Sequence, residues 1–173
     1  AHLGLGLYED ALPLLDQAQT AARDPVELAL ARATARRELG RFQESLDLLE
    51  PVREELVAAP ATDPLQLARV DLQLAQDYQA LNRLDAADAA FRRALAVQRE
   101  RLGATDPATR ETELRYVRLL ALRGEYADAH ALSERLVTHL RAEYASEQGG
   151  IGVGFGAHAI VISNTGPMEL AES

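Results

Sequence analysis

The chain has 173 residues, 47% of them hydrophobic and 5% aromatic, and a net charge of −9. That length suits one domain or a short repeat array, and the acidity excludes a nucleic-acid surface, which needs a basic face to neutralise phosphates. All 18 basic residues are Arg and Cys is absent, which excludes disulfides and thiolate chemistry. No basic-led signal segment and no apolar run of about 18 residues, the length of a membrane span, is present. The expectation is a cytoplasmic protein without a membrane partner. The opening "AHLGLGLYEDA" has no Met and reads as the start of a fragment.

Four related segments follow one another along the chain: "GLYEDALPLLDQA", "GRFQESLDLLEPV", "NRLDAADAAFRRA" and "GEYADAHALSERL". They begin at Gly6, Gly40, Asn82 and Gly124, in steps of 34, 42 and 42 residues. Gly or Asn tolerates the left-handed conformation that ends one helix and opens a tight turn. Two residues later stands Tyr8, Phe42, Leu84 or Tyr126, and three further on a small residue, Ala11, Ser45, Ala87 or Ala129. Apolar residues then recur at helical spacing, so each segment reads as a helix whose small residue lets a neighbour approach closely. The intervening segments start at Asp24-Pro25, Asp63-Pro64 and Asp106-Pro107, where Asp caps the first-turn amides and Pro takes the first helical position. This predicts seven helices over 8–22, 25–39, 42–58, 64–81, 84–102, 107–123 and 126–145, with a stub before the first.

The Gly-x-Tyr/Phe-x-x-Ala pattern resembles tetratricopeptide repeats. The 42-residue steps, with "FRRALAVQRERLGATDPATRETELRYVRLLALRGEYADA", are similar to the kinesin-light-chain-like subclass common in bacterial multidomain proteins. The resemblance covers residues 1–146 and implies an all-α, right-handed superhelix of stacked antiparallel helix pairs, about three and a half to four repeats. It further implies a non-enzymatic scaffold that binds a protein or peptide through its concave face. The competing expectation is the sensing arm of a nucleotide-dependent regulator or protease whose catalytic part lies elsewhere. Carried over residue by residue, the concave positions are Leu30, Thr34 and Arg37, then Arg69, Leu72, Gln76 and Gln79, then Leu114 and Arg118. Arg and Gln suit an extended peptide because they bond backbone carbonyls or a carboxylate. The plainer reading is that they pair with nearby acids, as Arg118 would with Glu111 or Glu125. Arg32 and Arg36 fall where the family buries side chains, which predicts a rotated or loosely packed helix there.

Nothing else points to chemistry. His2, His130, His139 and His158 lack the i, i+4 spacing of a helical metal pair, and no phosphate loop or nucleophile motif is present. No catalytic residue, metal or cofactor is expected.

Residues 147–173 differ in kind. Gln148 to Met168 carries no formal charge, and six of the 11 glycines lie between Gly149 and Gly166. Ile151, Val153 and Phe155 alternate with glycine at the period of a strand. "GGIGVGFG" is not a dinucleotide fingerprint, because it follows a helix and opens a strand-like run. A lone strand with an apolar side cannot stand free in water. Four readings remain: the first strand of a further domain, a segment that docks through Ile151, Val153 and Phe155, a fused peptide after Gly149-Gly150, or a disordered terminus. Docking takes the groove of the same chain or the tail of another copy as partner.

Overall fold

Residues 2–17 and 24–146 are described in the computed structural model, and among them every regular element is helical. The order is α1 (His2–Gln17), α2 (Pro25–Glu38), α3 (Phe42–Ala58), α4 (Pro64–Ala80), α5 (Leu84–Arg101), α6 (Pro107–Leu122) and α7 (Tyr126–Ser146). The domain boundary near residue 146 and the expected tail contacts of Ile151, Val153 and Phe155 lie at or beyond the limit of the described residues.

Local chemistry sets the helix ends. The Asp24 carboxylate accepts from the amides of Val26 and Glu27, at 2.9 and 3.2 Å. Asp63 and Asp106 accept in the same way from Leu65 and Ala108, and Pro follows each Asp at the first helical position. The opposite ends share one device. Gly40, Asn82 and Gly124 take φ of 75°, 57° and 79°. At each, two amides fold back on the last turn: Gly40 to Arg37 and Arg41 to Arg36, Asn82 to Gln79 and Arg83 to Tyr78, Gly124 to Ala121 and Glu125 to Leu120. This is the Schellman arrangement, which satisfies carbonyls the helix leaves unbonded.

The chain divides into two compact units, Ala1–Arg101 and Leu102–Ser173. In the first, α1 packs on α2, α2 on α3 and α4, α3 on α4, and α4 on α5. Its core joins Ala29, Leu30 and Ala33 of α2 to Leu46 and Leu49 of α3 and Val70 and Leu74 of α4. Phe91 of α5 is fully buried, as are the flanking small residues Ala87, Ala90 and Ala94. In the second unit α6 packs on α7, with Tyr116, Val117, Leu119 and Leu120 buried on one helix and Ala129, Leu132, Leu136 and Val137 on the other.

Two expectations are corrected. The first helix, described over His2–Gln17, starts at His2 rather than at residue 8, so Gly4 and Gly6 lie inside it and Gly6 opens no turn, while its expected end at residue 22 lies outside the described residues. A helix-interior glycine costs about 1 kcal/mol relative to Ala, which does not end a helix. The second correction concerns α2, which is not loosely packed: Ala29, Leu30, Ala33 and Ala35 are buried. Arg32 and Arg36 occupy the family's buried positions by reaching Asp16 of α1, with ion-pair distances of 2.8 and 3.3 Å. Arg32 also donates to the Asp16 carbonyl at 3.1 Å.

Candidate functional site

The candidate residues sit on the first helix of each pair, α2 and α4 in the first unit and α6 in the second. The shared turn at Gly40, Asn82 and Gly124 fixes a 42-residue register. Leu30, Leu72 and Leu114 are therefore equivalent, as are Thr34, Gln76 and Arg118, and Glu38, Ala80 and Leu122.

Across α2 and α4 the polar candidates bond to one another. The Gln66 amide donates to Asp24, and Arg69 holds Glu27 through both guanidinium nitrogens. Gln73 donates to Thr34 Oγ1 at 3.0 Å, and Thr34 in turn donates to the Leu30 carbonyl at 2.8 Å. Arg37 donates to Gln76 Oε1 at 2.9 Å, and Gln76 donates to the Leu72 carbonyl. Leu30 is buried in the core, which removes it from any binding surface, whereas Leu72 and Gln79 are half-buried. Arg69 pairs with an acid, and that partner is on the neighbouring helix. Asp24, Glu27, Gln66 and Gln73 belong to this ladder and were not among the expected residues. The 42-residue step contains the signal, since it places Asp24 opposite Gln66 and Glu27 opposite Arg69.

Electrostatics separates exposed from buried groups. The bond to Glu27 raises the Arg69 pKa against a desolvation penalty. Asp77 is fully buried, and burial pushes its carboxyl up to about 6, opposed by a bond from Ser45 and the charge of Arg37. Burial and the bond to Glu50 push the Tyr78 hydroxyl up to about 12. Asp71 is buried too, but Arg53 and Arg93 both reach its Oδ1 at 2.7 Å. Among the described residues no cluster of three metal-ligating side chains occurs, and no helix is long and apolar enough to cross a membrane.

The second unit differs. On α6, Leu114 is 42% exposed and Leu122 56%. Arg118 lies between them, one turn from each, and is exposed. Glu111 pairs with Arg115 and Glu125 with Arg123, at 2.7 and 2.6 Å, so the expected acids are engaged elsewhere. Arg118 has no ion-pair partner among the described residues.

Residues 72–108 match the family model of the tetratricopeptide repeat. The fold of this chain is a tetratricopeptide-repeat fold. Nearly identical TPR-like repeats of a kinesin light chain from Podosopora anserina superpose with a TM-score of 0.75 at 20% identity, covering 93% of this chain and 80% of that one. The Q17M form of that protein gives 0.77 with the same identity and coverage. BtubC (BKLC) from P. vanneervenii gives 0.63 at 15% identity, covering 93% of this chain and 62% of that one. No curated protein matches the chain in sequence. In tetratricopeptide terms, α2, α4 and α6 are the first helices of successive repeats, and α1, α3, α5 and α7 the second.

Proposed function

We propose that this chain is a non-enzymatic, cytoplasmic scaffold that binds an extended protein segment along the first helices of its repeats. The observation that carries the reading is the α6 face, where Arg118 stands between two exposed leucines without an ion-pair partner among the described residues. Leucines seat apolar side chains, and a planar guanidinium donates to carbonyls or a carboxylate between them. Thr34, Arg37, Arg69, Leu72, Gln76 and Gln79 form the corresponding face of the first unit. A ligand there exchanges existing bonds, such as Arg69 with Glu27, for its own, so we assign it the weaker share of the affinity.

The test is selection of binders from a displayed peptide library on the purified chain, followed by affinity measurement on variants. Leu114→Asp combined with Arg118→Ala is expected to weaken selected peptides by about tenfold or more, the range of a lost anchor. Arg92→Ala, on an exposed part of α5, is expected to leave affinity unchanged. Peptides insensitive to the α6 pair would refute this placement.

A further inference from the structure

We infer that the outward side of α1, through Leu7, Asp10 and Leu14, docks a basic amphipathic helix of a separate partner protein. The inference does not depend on the α6 face.

Leu7 and Leu14 are 72% and 67% exposed, the two most exposed large apolar side chains among the described residues. They lie two turns apart on one side of α1, with Ala11 between them. The repeat register shows what belongs on that side. Ala11 corresponds to Ser45, Ala87 and Ala129, and Leu14 to Leu48, Ala90 and Leu132. Ser45, Ala87, Ala90 and Ala129 have no exposure, Leu132 is buried, and Leu48 packs against the core cluster. Each of those second helices carries the first helix of its own pair: α2 packs on α3, α4 on α5 and α6 on α7. In contrast, α1 packs on α2, the first helix of the next pair, and no first helix precedes it among the described residues. The small residue that admits a close neighbour in the other pairs is present at Ala11, so the uncovered side suits a helix.

Charge decides which helix. The α1 segment carries Glu9, Asp10 and Asp16 and no Arg. Asp16 is taken by Arg32 and Arg36 of α2, whereas Glu9 and Asp10 are exposed without an ion-pair partner among the described residues. Asp10 corresponds to Glu44, and there the covering helix supplies the cation: Arg36 of α2 stands 3.8 Å from Glu44. A basic residue on the docked helix meets Asp10 in the same way, and the chain's net charge of −9 draws a basic segment toward it. A second copy is the poorer occupant, because two α1 helices face to face set acids against acids.

The probe is a labelled synthetic peptide of residues 24–39 carrying Glu27→Gln and Glu38→Gln, which leaves three Arg against one Asp. It keeps the Ala29, Leu30 and Ala33 side that shares a core with Leu46 and Leu49 of α3. Fluorescence anisotropy with the full chain is expected to show binding that Leu7→Gln combined with Leu14→Gln weakens by about tenfold or more. Both leucines are exposed, so the variant is expected to keep the helix content and melting curve of the parent, which are recorded alongside. Asp10→Arg is expected to weaken the probe, and a peptide that also carries Arg36→Glu is expected to bind Asp10→Arg better than it binds the parent. No binding, equal affinity for the parent and the double-leucine variant, or indifference to the charge exchange overturns the inference. A dimer in sedimentation that Leu7→Gln with Leu14→Gln dissociates would make the occupant a second copy and overturn it as well.

Discussion

Ser45 and Asp77 meet across α3 and α4 with no solvent access, and the Ser45 hydroxyl donates to Asp77 Oδ2 at 2.5 Å. The position of Ser45 is Ala11, Ala87 and Ala129 in the other segments, and that of Asp77 is Ala35 and Leu119. The pair is thus a polar insertion into an otherwise apolar seam, and Asp77 Oδ1 finds no hydrogen-bond partner there. An ionised carboxylate in that place lacks part of its solvation.

The pH dependence follows from the raised pKa of Asp77, about 6 in the folded chain against 3.8 for the free group. The folded state holds this proton more tightly than the unfolded state does. The contribution is therefore fully present below about pH 4 and is lost as pH rises through about 6, by at most about 3 kcal/mol. Urea unfolding from pH 4 to 7 is expected to show that loss relative to Ser45→Ala combined with Asp77→Ala. Parallel curves for the two proteins would disprove it.

Phe91 is fully buried whereas Arg92 is solvent-facing and bonded to Asp88 one turn back. Phe91→Ala is expected to cost about 3–5 kcal/mol, the range for a buried aromatic, and Arg92→Ala under about 0.5 kcal/mol. Melting curves of the two variants check the phase of α5, and equal midpoints would contradict it.

Asp71 is held by two guanidinium groups, from α3 and from α5. Arg53→Ala or Arg93→Ala alone leaves one partner in place. Together they strand a carboxylate that is 3% exposed, a loss of about 3–5 kcal/mol. The double variant is expected to lose more stability than the sum of the single losses, which a double-mutant cycle in urea measures directly.

At Asn82 the backbone is left-handed with φ of 57°. Asn82→Gly is expected to be neutral or slightly stabilising, while Asn82→Val is expected to cost about 1–2 kcal/mol through its β-branched clash. A Val variant as stable as the parent would show that the turn adopts another geometry.

The helix starts at Pro25, Phe42, Pro64, Leu84, Pro107 and Tyr126 were all legible, because the signals that set them act within a turn of the chain. Gly6 misled because it stands at the repeat position of Gly40 and Gly124, but the helix begun at His2 runs through it. The polar ladder was harder to read. Arg69 and Glu27 pair only because α2 and α4 touch, and that contact depends on a whole repeat folding between them. Leu30 shows the same limit: it shares the face of Thr34, but its burial is decided by Val70 and Leu74 some forty positions downstream.

The two kinds of connection in the first unit have different freedom to change. The turns at Gly40 and Asn82 each tie two amides to the helix before them, so an added residue there breaks bonds on both sides. The link from Ala59 to Asp63 is mostly exposed and joins one finished pair to the next. Pro60 and Ala61 can therefore accept a purification tag or a reporter loop while the buried faces keep their register, so lengthening between pairs is the change to which this architecture is most permissive.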